Sequence, residues 1–66
     1  MLRTKIICTL GPSSEDKYTI TRLIQAGMNI ARINLSHGDH EEHSKRIGVL
    51  RETCKELKTN VALLLD

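Results

Sequence analysis

Apolar residues along the chain fall into three short runs, separated by two longer stretches in which they recur at wider intervals. Residues 4–10 are β-branched and apolar and stop at Gly11-Pro12, which predicts a buried strand from Thr4 to Leu10. After the break at Gly11-Pro12-Ser13-Ser14, Ile20, Leu23 and Ile24 follow at helical spacing with polar residues between them. Ser13 with Asp16 three residues on resembles a capping box, aspartate being weaker than glutamate at that place, and Gly27 is positioned as the carboxyl-terminal cap. Met28 to Leu35 predicts the second strand. Period-two alternation there puts Arg32 and Asn34 on one face and Ala31, Ile33 and Leu35 on the other.

Ser36-His37-Gly38-Asp39 reads as the exit turn of that strand, and from Asp39 the chain becomes strongly polar. Glu41 and Glu42 near the start of this stretch and Lys55 and Lys58 near its end suit a helix macrodipole at both ends. Ile47, Leu50, Cys54 and Leu57 form the apolar stripe, and Gly48 weakens the helix by about 1 kcal/mol relative to alanine without breaking it. Thr59-Asn60 ends it. Val61 to Leu65 is a continuous apolar run before Asp66, the pattern of a parallel strand buried on both faces.

The predicted order is strand, helix, strand, helix, strand, with crossovers long enough for right-handed βαβ units and therefore three parallel strands. Their carboxyl ends then share one edge, where open α/β sheets and α/β barrels both place ligands. Thr9 and Gly11-Pro12 fall at that edge after the first strand, Arg32, Asn34 and Ser36 at the second, and Asp66 at the third.

Composition narrows the function classes. A chain of 66 residues is one domain at most and buries about 60% of its unfolded surface, so its stability is marginal. Tyr18 is its single aromatic residue, which argues against the stacking platforms used on single-stranded nucleic acid. The net charge of +2 comes from ten basic and eight acidic residues mixed along the chain, with no basic block to track a phosphate backbone. Cys8 and Cys54 are too far apart for metal-ligand spacing and do not make a disulfide framework. Each reads as a small hydrophobe in a reduced cytoplasmic protein. Neither a signal peptide nor an apolar run near the roughly 18 residues of a membrane span is evident, and Asn34-Leu35-Ser36 carries little weight as a glycosylation acceptor without a secretory signal.

The chemistry-bearing residues allow two readings. Arg32, Asn34 and Ser36 recur at two-residue intervals, so an extended backbone keeps them on one side about 7 Å apart per pair. Arginine offers a forked donor for phosphate or carboxylate, and Asn34, Ser36 and Asp66 offer hard oxygen ligands suited to alkali and alkaline-earth cations. The plainer alternative is a structural ion pair between Arg32 and Asp66, with Ser36 merely capping the next helix. His37, His40 and His43 lack a well-placed further ligand and read as solvated surface histidines. Gly11-Pro12-Ser13-Ser14 has neither the lysine nor the glycine spacing of a phosphate loop and reads as a turn with a cap. The charged residues Glu41, Glu42, Lys45, Arg46, Arg51, Glu52, Lys55 and Glu56 read as a solvated helix face.

Three blocks nonetheless resemble the start of the pyruvate kinase family: residues 4–14, TKIICTLGPSS; residues 27–38, GMNIARINLSHG; and residues 63–66, LLLD. The resemblance runs in order over nearly the whole chain, and Met1-Leu2-Arg3 looks like the start of the family's shorter, mostly bacterial members. It implies the first part of an (α/β)8 TIM barrel, a partial segment with no complete domain. The activity it implies is transfer of a phosphoryl group from phosphoenolpyruvate to ADP, giving pyruvate and ATP in glycolysis. Magnesium and, in many members, potassium serve at the barrel mouth, and the family assembles as a homotetramer.

Carried over by position, the resemblance gives Arg32 to the substrate phosphate and Asn34, Ser36 and Asp66 to potassium. Asn34, Leu35, Ser36 and His37 fall in the stretch bordering the nucleotide site. The family's magnesium ligands, a catalytic lysine and the threonine completing the potassium site lie past Asp66, so the 66 residues are predicted to be inactive alone. Two alternatives accompany this reading: a non-catalytic βαβαβ fragment that associates with itself through exposed strand faces and edges, and a phosphate-binding module built on Arg32.

Overall fold

A computed structural model describes residues 4–36 and 38–66. Strand β1 spans Ile6–Leu10, a 3-10 turn covers Pro12–Ser14, and helix α1 spans Lys17–Gln25. Strand β2 spans Met28–Ile33, helix α2 spans His40–Leu57, and strand β3 spans Ala62–Leu65. The sheet order is β1-β2-β3 and both pairings are parallel, so the expected α/β fold of three parallel strands and two helices is the one observed.

β2 lies between its two neighbours, with Thr9 and Leu64 flanking Arg32 and with Leu10 and Leu65 flanking Ile33. Near its start the ladder slips, so that Ile6 faces Met28 while Ile7 faces Ile30. The skipped residue, Asn29, accepts the Ile6 N–H on its side-chain oxygen at 2.9 Å, replacing the acceptor that the ladder lost. Because of that extra residue, Met28 joins Ala31 and Ile33 in the buried cluster instead of alternating away from it.

The core sits between the sheet and the helices. Leu10, Ile20, Met28, Ala31, Ile33 and Leu50 are buried, and Cys8, Leu23, Ile24, Ile47, Cys54 and Leu63 pack against them. Each large aliphatic side chain removed from water there contributes about 1.5–3 kcal/mol. Coverage is one-sided, which corrects the expectation that the first strand is buried and the third is buried on both faces. Ile7 is 56% exposed and Leu64 46% exposed. Thr4 and Lys5 are exposed and precede β1, and Leu35 lies beyond β2 and is exposed.

Both helix starts are capped by aspartate. Asp16, rather than Ser13, caps α1 by accepting the Thr19 N–H at 2.9 Å and the Thr19 hydroxyl at 2.8 Å. Proline at the first position draws residues 12–14 into a separate 3-10 turn, so α1 begins later than the Ser13 pattern implies. Asp39 caps α2 through the Glu42 N–H at 2.9 Å. The far end of α2 closes on Lys58, whose φ of 52° is left-handed, with the Thr59 N–H reaching the Cys54 carbonyl at 3.0 Å.

Hydrogen bonding by the Thr19 amide holds the Asp16 carboxyl below its ordinary value of 3.8. A depressed folded-state value means that this carboxylate stabilises the fold above its unfolded value, and that the stabilisation is lost as pH falls through the folded value. Asp16→Asn keeps a capping oxygen but no titrating group. We expect its thermal midpoint to fall less than wild type's when pH is lowered from roughly 5 to 2; superimposable pH profiles for the two proteins would refute the assignment.

Candidate functional site

The carboxyl edge of the sheet is organised by backbone bonds that continue past the strands. The Asp66 N–H donates to the Ile33 carbonyl at 2.9 Å, and the Leu35 N–H donates to the Asp66 carbonyl at 2.6 Å. These two bonds set Asp66 beside Arg32, whose guanidinium forms an ion pair with the Asp66 carboxylate. Both side chains are about half exposed, at 42% and 53%. In that setting an ion pair is worth at most about 1 kcal/mol, which leaves the guanidinium free to exchange one anion for another.

Asn34 and Ser36 meet through a local turn. The Asn34 side-chain oxygen accepts from the Ser36 N–H at 3.0 Å and from the Ser36 hydroxyl at 2.6 Å, an arrangement in which a side chain stands in for a backbone turn acceptor. Ser36 therefore does not cap α2, a task performed by Asp39. Arg32, Asn34, Ser36 and Asp66 thus gather at one edge, while His37 lies outside the described residues. Amide, hydroxyl and carboxylate oxygens are donor types that suit a hard alkali cation; here the Asn34 oxygen is engaged by Ser36 and the Asp66 carboxylate by Arg32. Among the described residues, no cluster of three or more His, Cys, Asp or Glu side chains could hold a metal ion.

A cleft of about 280 Å³ opens beside Asn34, walled also by residues 9–12, by Gly38, and by Glu42 and Arg46 of α2; Arg32, Ser36 and Asp66 do not line it. Its 9–12 wall is a plain turn: the Gly11 N–H donates to the Ser14 hydroxyl at 2.9 Å and the Ser14 N–H to the Gly11 carbonyl at 3.0 Å. Arg46 is 4% exposed and His43 7% exposed, so neither belongs to a solvated surface. Arg46 donates to the Glu15 carboxylate at 3.1 Å and lies 4.0 Å from that of Glu42. Among the described residues neither ring nitrogen of His43 has a hydrogen-bond partner. The signal for their burial was the spacing of 43, 46, 50 and 53, which continues the helical stripe one position to the side of Ile47 and Cys54. Thr53, also buried on that stripe, satisfies its hydroxyl on the Val49 carbonyl at 2.7 Å.

A parallel βαβαβ unit with polar side chains gathered at its carboxyl edge is an α/β unit of the kind found in barrels and open sheets. Residues 1–66 match the pyruvate kinase barrel domain. The chain belongs to the pyruvate kinase family. Over all 66 residues it is 56% identical to the pyruvate kinases of Staphylococcus aureus strains USA300 and COL, covering 11% of their length. Two crystal structures of Cryptosporidium parvum pyruvate kinase superpose with TM-scores of 0.91 and 0.92 at 45% identity, over 96% of this chain and 13% of theirs. The chain therefore spans about a tenth of the length of these relatives.

Gly38 connects the site to α2. Its φ is +79°, and a Cβ built there would fall 2.5 Å from the Glu42 carboxylate and 3.5 Å from the His43 ring. Gly38→Ala is expected to destabilise the fold by about 1–3 kcal/mol, combining left-handed strain with the displaced Glu42. Urea denaturation measures this, and an unchanged midpoint would show that the turn does not need glycine.

Proposed function

We propose that this chain serves as part of a pyruvate kinase, in transfer of the phosphoryl group of phosphoenolpyruvate to ADP with formation of pyruvate and ATP. The observation that carries the reading is the family match over the whole chain, combined with the gathering of Arg32, Asn34, Ser36 and Asp66 at one sheet edge. Phosphoryl transfer asks a protein mainly for positioning and charge neutralisation. Arg32 grips the substrate phosphate with its forked donor, exchanging the Asp66 carboxylate for a phosphate oxygen. Asn34, Ser36 and Asp66 hold potassium with their side-chain oxygens, and Asn34, Leu35, Ser36 and His37 border the nucleotide.

Potassium, when bound, supplies fixed positive charge beside the reacting phosphates. The magnesium that the family uses is assigned to residues outside this segment, as are its other catalytic groups, so the segment acts with the rest of a barrel and within the family's tetramer. No described helix is long and apolar enough to cross a membrane.

The test places this chain in the matching stretch of a full-length pyruvate kinase. Arg32→Ala in that protein is expected to lower kcat/KM for phosphoenolpyruvate by about 100-fold or more, the scale of a lost charge-stabilising donor. A variant within a few-fold of the parent would remove Arg32 from the reaction. The 66-residue chain alone is expected to show no turnover in a coupled assay with phosphoenolpyruvate, ADP, magnesium and potassium, and turnover that disappears with Arg32→Ala would overturn this.

A second reading is favoured by the uncovered sheet face, where Ile7 and Leu64 are 56% and 46% exposed. Apolar surface of this kind beside two unpaired strand edges promotes self-association of the isolated chain. Light scattering is expected to give a mass above that of the 7.4 kDa monomer; a clean folded monomer counts against this reading.

A further inference from the structure

We propose that Arg46 is a positioning residue for the cleft, fastening the connection between β1 and α1 to the first turns of α2 and so fixing the wall at Gly11-Pro12 opposite Asn34. The ligand arm of this proposal rests on the nucleotide reading above; its structural arm does not.

Arg46 sits on α2, a helix that starts at the carboxyl edge, yet its side chain is 5% exposed and donates at 3.1 Å to Glu15, 31 residues earlier in the chain. Glu15 directly follows the Pro12–Ser14 turn and directly precedes the Asp16 cap of α1. One partly buried bond therefore ties together the end of the turn, the entry to α1 and the body of α2. On the other side, Arg46 lies 4.0 Å from Glu42 and 3.7 Å from where a Gly38 Cβ would stand. The guanidinium is thus enclosed between the two connections that wall the cleft.

Charge and geometry explain why arginine is used here. Two carboxylates, one in the connection before α1 and one on α2, balance one buried cation, whose Nε donates to Glu15 while a terminal nitrogen faces Glu42. Removing the cation leaves Glu15 partly buried without its partner, which drives the carboxylate, and the turn attached to it, toward water. Among the described residues the Pro12–Ser14 turn has little else to hold it: none of its residues is buried, and its internal bonds run between Gly11 and Ser14. The wall of the cleft then loses its fixed distance from Asn34, although neither strand has moved.

Amide hydrogen exchange on a full-length pyruvate kinase carrying these residues tests this in Arg46→Met, Glu15→Gln and Arg46→Lys. The Gly11 and Ser14 amides report the turn, and the Ile20 and Asp66 amides, bonded to the Asp16 and Ile33 carbonyls, report α1 and the sheet. We expect exchange at Gly11 and Ser14 to accelerate by about tenfold or more in Arg46→Met and Glu15→Gln, the scale of one lost charged hydrogen bond, with Ile20 and Asp66 unchanged and with part of the protection restored in Arg46→Lys. Unchanged exchange at Gly11 and Ser14 in Glu15→Gln overturns the proposal, as does equal acceleration of all four amides in both variants, since that marks an ordinary core residue.

Titration of the same samples with ADP, read at the Asn34 and Ser36 amides, is expected to show binding weakened about tenfold in Arg46→Met and partly recovered in Arg46→Lys. Wild-type binding that is undiminished in Arg46→Met, with the turn loosened, removes the link to the ligand. A wild-type chain that does not respond to ADP counts against the nucleotide reading, while exchange at Gly11 and Ser14 still decides the role of Arg46.

Discussion

Everything at the carboxyl edge depends on the pairing of β2 with a strand on each side. Its residues Ala31 and Ile33 are fully buried, and the two alternate positions between and after them, Arg32 and Asn34, are thereby turned to the opposite face. Parallel pairing with β3 continues through the Ile33 carbonyl and the Leu35 amide to Asp66. The carboxylate arrives next to the guanidinium because of backbone bonds, and the exposed ion pair between them is a result of that register more than its cause.

What was legible in the sequence is what depends on short-range periodicity. Alternation over Ala31 to Ile33, the glycine after α1 and the acidic start of α2 all follow from neighbouring residues, and each is found, whereas the slip at Asn29 and the end of β2 before Leu35 break the alternation outside that stretch. What was not legible depends on distant partners. Arg46 reads as solvent-facing because its neutralising carboxylate lies 31 residues away, and an arginine is judged exposed until such a partner is known. His43 reads the same way for want of any sign that the Gly38 turn would pack over it. The capping choice at α1 failed for a local reason, since Pro12 starts a turn of its own and leaves Asp16 to begin the helix.

Of the site itself, strand spacing carried Arg32 and Asn34 to the edge, but β2 stops at Ile33, and a turn rather than extended backbone brings Ser36 onto Asn34. Spacing could not choose between an ion pair and a ligand site, and the geometry contains features of both: Arg32 is paired, but in an exposed position where the pairing is weak. Family membership, rather than geometry, favours the ligand reading. The cleft walls were the part least visible beforehand, because they combine three connections whose approach is set by tertiary packing.

Arg32 and Asp66 are separated by 34 positions, and the chain between them contains the whole of α2. Such a contact has high sequence separation, so its loop-closure cost is set by the whole crossover, and contacts of that kind slow folding. The segment from Met28 to Gly38 carries most of the recognisable chemistry, yet its arginine takes its carboxylate from the far side of that crossover: the part that is easiest to read is completed by the part most distant along the chain.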